Sequence, residues 1–271
     1  MFSAKIREKS IGMTRHMRVL PVFLVAAVVA LILAVAAPNC WAEGGDEIPF
    51  DKANVFFELN DTDGDLGIHA LIDGEPWKKL EIETPRGREI LHIIVKGHLR
   101  RQGLTELFFE SAEPSFDELS PSEFFRRFPE GEYEIEGTTL EGGKLESTAV
   151  LTHVMPAPPD NIKVNGIPAP KDCDEGPIPL VSGPVIISWD PVTESHPVIG
   201  KSGAIEVVKY QLVVQREEPT LLIYSVDLPP DVTEFPVPEE FTVLGEEFKF
   251  EILVREASGN QTAIESCFEI E

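Results

Sequence analysis

The sequence predicts a mainly β protein: two β-sandwich-like domains in tandem, one short helix in the first, after an N-terminal signal peptide. Three observations carry this. Beyond residue 42, apolar residues come in short runs separated by Asp-Gly, Pro-Arg-Gly and other Gly-containing links, with little helical periodicity. The proline-rich stretch MPAPPDN at 155–161 divides those runs into two sets, because proline removes amide donors and stiffens the chain. A basic, then apolar, then small-residue leader precedes both sets.

The leader carries Lys5, Arg7, Lys9, Arg15 and Arg18, then VLPVFLVAAVVALILAVAAP, then NCWA. Cys40 and Ala42 are small enough to precede a signal-peptidase cut, so residues 1–42 read as a signal peptide ending at Ala42. The competing reading is an uncleaved anchor, since the apolar stretch is near membrane-spanning length. A lipoprotein cut at Cys40 fits poorly, because Ala37, Pro38 and Asn39 lack the leucine-containing small-residue pattern. An exported chain is periplasmic or secreted, and it meets a membrane only if the leader stays uncleaved.

Removing the leader's 5 basic and 1 acidic residues from totals of 23 and 47 leaves 18 and 46, a net charge of −28. Such a surface repels phosphate backbones, which disfavours nucleic acid as the partner; it serves solubility or attracts cations and basic partners, and a generally solvated acidic surface is the plainer reading.

The first domain is expected over residues 48–155. VFFEL (55–59), IHALI (68–72), KLEIE (79–83), EILHIIV (89–95) and ELFFE (106–110) read as antiparallel strands. LSPSEFFRRF (119–128) reads as a helix near 120–128, capped by Ser120 or Ser122, with Phe124, Phe125 and Phe128 on one face and Pro129-Glu130-Gly131 as its stop. EYEIEGTTL and KLESTAVLTHV, joined by Glu141-Gly142-Gly143, form a closing hairpin that resembles an immunoglobulin-like sandwich loosely.

The second domain is expected over 156–271, with strands near NIKVNG and at 184–192, 207–217, 220–228, 234–238, 247–257 and 262–270. Trp189 in SWDPV, Tyr210 in YQLVVQR, and Leu244 followed by Phe250, Ile252, Val254, Ala257 and a Ser-Gly-Asn turn make this segment resemble a fibronectin type III domain. The resemblance places Trp189 in the second strand, Tyr210 in the third and the Phe250 region in the closing hairpin, and implies an adhesion or interaction module. Phe250 replaces the tyrosine that usually braces the corner, and the link containing SHPVIGKSG is long.

Cys173 and Cys267 are the cysteines left after the leader. In an exported protein they are expected to pair as a disulfide, with two free buried thiols as the alternative.

NDTDGDLGIHALIDGE (60–75) sets Asp61, Asp63 and Asp65 at alternate positions and contains two Asp-Gly pairs. Alternate carboxylates suit calcium, yet an EF-hand register from Asp61 puts Leu66 where glycine is needed and Ile72 where the bidentate glutamate is needed. A register from Asp63 fits no better. A looser calcium site remains as an expectation, with Asp61, Asp63 and Asp65 at a hairpin tip, helped by Asp73 or Glu75. It competes with a plain solvent-facing turn. No other cofactor is expected.

Ile199-Gly200-Lys201-Ser202 imitates the end of a phosphate-binding loop, but Ser195 occupies the position of its first glycine. His69, His92, His98, His153 and His196 show no metal-ligand spacing. Phe108-Phe109 with Phe124, Phe125 and Phe128 reads as core packing before it reads as a groove. The expected protein is therefore non-enzymatic, an adhesion, binding or spacer protein for an unidentified protein or glycan partner, acting through sandwich loops and edges. Two alternatives stand beside it: a secreted carbohydrate-active or hydrolytic accessory protein, and a calcium-dependent adhesion module using the Asp61 to Asp65 loop.

Overall fold

The computed structural model describes residues 47–271 except 175 and 244. The signal peptide and Leu244 of the closing-hairpin motif lie outside the described residues. Among the described residues no helix is long and apolar enough to cross a membrane.

The first half opens with β1 (Lys52–Asn60), whose Val55, Phe57 and Leu59 alternate inward. It pairs antiparallel with β2 (Asp65–Glu83), register Asn60 to Asp65. The turn between them is at Asp63-Gly64, where Gly64 takes φ of 67° and its amide donates to the Asn60 carbonyl at 2.9 Å. The second Asp-Gly pair makes no turn. The two strands expected over 68–72 and 79–83 are one strand of 19 residues that runs through Asp73-Gly74 extended. Gly74 is there for space, since a Cβ would sit 3.0 Å from the Phe50 ring.

β2 holds four neighbours. Along its first half it pairs with β1 and with β4 (Leu104–Glu110), and along its second with β3 (Glu89–Ile94) and β5 (Gly131–Thr139). Register shifts beyond Asp73 and Trp77 mark where it changes partners. β5 forms the expected hairpin with β6 (Lys144–Leu151). A four-residue helix α1 (Leu99–Gln102) precedes β4. α2 (Pro121–Arg127) is the expected helix, with the Ser120 side chain accepting from the Glu123 amide, and its Phe124 and Phe125 pack edge-on against Phe57. That packing, with Trp77, Leu80, Tyr133 and Ile135, makes one core.

In the second half β7 (Asp160–Val164), β8 (Ile167–Pro168), β9 (Leu180–Val181) and β10 (Val185–Asp190) come first. They are followed by β11 (Val207–Arg216), β12 (Leu222–Leu228), β13 (Glu234–Val237), α3 (Glu239–Thr242), β14 (Glu247–Glu256) and β15 (Gln261–Ile270). One sheet has the order β13-β10-β7-β8, and facing it lies β12-β11-β14-β15. Inward residues of both sheets, among them Ile187, Trp189, Tyr210, Leu212, Phe250 and Ile252, form the second core. This is a fibronectin type III-like sandwich. Trp189 lies on the second long strand and Tyr210 on the third, their rings 5.4 Å apart and edge-on, and the hairpin of β14 and β15 closes the unit. The Tyr210 hydroxyl accepts from the Val192 amide at 2.8 Å.

The halves share a sheet. β15 runs parallel to β1, Glu58 to Asn60 beside Gln261 to Ala263, so one path of strands continues from β12 to β6. The long link after β10 closes the same junction. Ile199 packs into the first core, His196 donates its amide to the Met155 carbonyl at 2.7 Å, and Lys201 donates to the His153 carbonyl at 2.8 Å. Gly200, at φ of 79°, fits because a Cβ would meet the His153 carbonyl oxygen at 2.2 Å. The phosphate-loop look-alike is thus a fitted brace.

Asn260, fully buried, is the centre of the junction. Its side-chain oxygen accepts from the Phe57 amide at 2.9 Å, and its nitrogen donates to the Thr152 and Val154 carbonyls at 3.0 and 2.9 Å. Cutting the carboxamide away leaves the buried Phe57 amide and the half-buried Thr152 and Val154 carbonyls without this partner, at about 1–3 kcal/mol for a fully buried group and less for the other two. Asn260→Ala should lower the unfolding free energy by about 3 kcal/mol in urea titration, whereas a loss below about 1 kcal/mol would remove Asn260 from this role.

Candidate functional site

On the shared sheet, the alternation that sends Phe57 and Leu59 inward sends Phe56 and Glu58 to the other face. His69 is opposite Phe56 on one side and Glu110 on the other. Glu251 and Arg255 on β14 and Gln211 on β11 rise on the same face, and together these residues line a cavity of 260 Å³ spanning both halves.

Its polar groups are linked. The Arg255 guanidinium lies 4.4 Å above the Phe56 ring, and its Nε donates to Gln261 Oε1 at 2.7 Å. Gln261 Nε2 donates in turn to Glu58 Oε2. His69, 2% exposed, stands with Nδ1 3.9 Å from Glu58 Oε2 and Nε2 3.2 Å from Glu113 Oε1, flanked by Phe56 and Phe108. Gly67 makes room for this, since a Cβ there would lie 2.1 Å from Glu113 Oε1. Gln215 Nε2 donates to Glu251 Oε1 at 3.1 Å.

Carboxylates outnumber cations on this face, and their proton affinities record it. Burial first, then neighbouring Glu265, Glu58 and Asp63, pushes Glu251 up to about 7. Burial, then Glu113 and Asp63, pushes Asp65 up to about 6. Burial, then Glu110, raises Glu113. Burial raises Glu58 against the pull of His69, and burial lowers His69 against the pull of Glu58. An arrangement of this kind is set to receive positive charge, which would relieve the repulsion among its carboxylates.

The sequence-derived candidates are divided among different tasks. Asp61 Oδ1 accepts from Nε2 of buried His196 at 3.0 Å, while His196 Nδ1 accepts from the Val198 and Ile199 amides at 3.2 and 2.8 Å. Asp61 therefore anchors the long link to the first half. Asp63 meets Asn60 Nδ2 at 3.4 Å, and Asp73 lies 3.9 Å from Lys52. Asp63 and Asp65 belong electrostatically with Glu110, Glu113 and Glu265 at the end of the cavity face. Cys173 and Cys267 are free thiols in this structure, close enough to influence each other's proton affinity, and no disulfide joins them here. Burial keeps both above the ordinary thiol range, and with Glu217, Glu218 and Lys249 they line a cleft of 560 Å³. Phe124 and Phe125 are core residues, but Phe108 is 56% exposed beside His69.

Glu58, Glu110, Glu113, Glu251, Arg255 and Gln261 escaped the sequence reading. The signal for two of them was the charged alternation Glu247, Lys249, Glu251 and, past Leu253, Arg255 along β14, which marks a face left uncovered by core.

No protein-family model matches the chain. No curated protein matches it. Among solved structures, it is similar to chicken CNTN1 FN1-FN3 domains, at 12% identity and a TM-score of 0.31, covering 82% of this chain and 65% of that one. A two-domain fibronectin type III segment from chicken tenascin matches at 14% identity and a TM-score of 0.26, covering 81% of this chain and 98% of that one. A 1.5-MDa bacterial ice-binding adhesin matches at 12% identity and a TM-score of 0.23, covering 83% and 66%. The sandwich assignment above rests on strand order and core residues.

Glu251 gives the site a pH signature. A carboxyl raised from 4.5 to about 7 by folding contributes stability that is fully present below pH 4.5 and is lost as pH rises through 7. Glu251→Gln, neutral throughout, should match the parent's melting temperature at pH 4 and exceed it at pH 8, by a free energy on the order of 2 kcal/mol. Thermal melts across that range check the sign.

Proposed function

We propose that this chain is an exported, non-enzymatic binding and spacer protein that takes a basic partner segment across the cavity shared by its two halves. The observation that carries this reading is the concentration of Glu58, Glu110, Glu113 and Glu251 on one sheet face against His69 and Arg255, with the carboxyls of Glu58, Glu113 and Glu251 raised by burial. Each lysine or arginine that enters replaces a carboxylate–carboxylate repulsion with an attraction. Phe56 and exposed Phe108 add apolar surface for the side-chain stems.

The excess of acidic residues extends the field and favours fast, salt-sensitive encounter. The prediction is that a lysine- and arginine-rich peptide binds in fluorescence anisotropy, weakens steeply with added salt, and loses at least tenfold in affinity to the Glu58→Gln/Glu251→Gln double variant. Equal binding by parent and variant would overturn the assignment of the site.

Export would give Cys173 and Cys267, which line the same cleft, an oxidising compartment whose oxidant can take two electrons and close them to a disulfide. Oxidised protein should then melt higher than reduced protein, by up to about 4 to 5 kcal/mol in the chain-entropy treatment of a loop this long. Serine at both positions should abolish the difference.

A further inference from the structure

We propose a binding site for a transition-metal dication of the zinc type on the β2–β3 hairpin, formed by Glu81, Glu89 and His92. Their donor atoms all lie within 4.8 Å of one another. His92 Nδ1 is 3.0 Å from Glu89 Oε2 and 3.2 Å from Glu81 Oε1. In a tetrahedron with bonds of about 2.0–2.1 Å, neighbouring ligand atoms stand about 3.3–3.4 Å apart. The donors thus already approach the edge lengths of a coordination polyhedron.

The backbone assembles this set in two ways. Glu81 and His92 are direct cross-strand partners, so their side chains share a face. Glu89 and His92 are three residues apart, and on a regular strand they would point to opposite faces. The register of β2 and β3 shifts between Ile82 and Glu83, leaving Ile90 unpaired between Glu89 and Leu91. That bulge swings Glu89 onto the face of His92.

The surroundings leave the donors free for an ion. Lys79 Nζ holds Glu81 Oε2 at 2.6 Å, which directs Oε1 to His92. Glu136, the neighbour of Glu81 on β5, is matched by Lys144 at 3.3 Å. Two carboxylates therefore converge on one ring nitrogen, which carries at most a single proton. A dication at that point serves both. One imidazole with two carboxylates suits zinc better than calcium, which takes six to eight oxygens, and the exposed position leaves room for water as a fourth ligand.

Metal-free full-length protein is titrated with zinc chloride by calorimetry and with cobalt(II) by visible absorption, alongside His92→Ala, Glu89→Gln and a Cys173→Ser/Cys267→Ser variant. The expected result is one zinc per chain, a tetrahedral cobalt spectrum, affinity lowered at least tenfold in His92→Ala and Glu89→Gln, and binding unchanged in the serine variant. Glu89 and His92 are exposed, so circular dichroism and melting temperature should stay at parental values and exclude misfolding. No binding, or binding that survives His92→Ala but disappears with the thiols, overturns the proposal.

Discussion

Glu58, Leu59 and Asn60 lie parallel to Gln261, Thr262 and Ala263, and this three-residue seam sets the geometry of everything around it. Backbone pairing fixes distance and register, while buried side chains fix angle. Asn260 ties β1 to the segment after β6, and Thr262 Oγ1 donates to the Pro156 carbonyl at 2.8 Å. Thr62 accepts from the Glu265 amide at 2.8 Å. The seam is polar, so its strength lies in satisfied hydrogen bonds more than in apolar area, and each lost partner leaves a buried group exposed to no solvent.

The same seam creates the acidic face. Glu58 comes from one half and Glu251 from the other, and only the continuous sheet brings both to one cavity. Their raised proton affinities are a destabilisation held in place by two hydrophobic cores. The hairpin of β2 and β3 differs in kind: Glu81, Glu89 and His92 are gathered by local register and a single bulge, without help from the second half.

Local order was legible wherever alternation and turn chemistry agreed. The hairpin of β5 and β6 and the Ser120 cap follow from short-range pattern, while the placement of Trp189 and Tyr210 follows from the resemblance to fibronectin type III domains. Asp73-Gly74 misled because the same dipeptide serves a turn or a close approach, and Phe50 decides which. The site was less legible. Glu58 and Gln261 are 203 positions apart, and among 47 acidic residues no local feature distinguishes the few that share a cavity. Asp61 carried the right side chain for an ion, yet its partner is His196, 135 positions away. His92 escaped because its fellow donors are carboxylates brought close by a bulge, which strand spacing does not announce.

The parallel sense of β1 and β15 has a mechanical meaning. They are the first and last of the described long strands, so tension applied before Lys52 and after Ile270 draws them along their lengths in opposite directions. The seam is then loaded in shear, with its backbone bonds resisting together, where an antiparallel hairpin would peel open one bond at a time. The buried contacts of Asn260 and the clasp of His196 on Asp61 lie on the same line of force. Pulled from Lys52 and Ile270, the described chain loads the junction between its halves in shear.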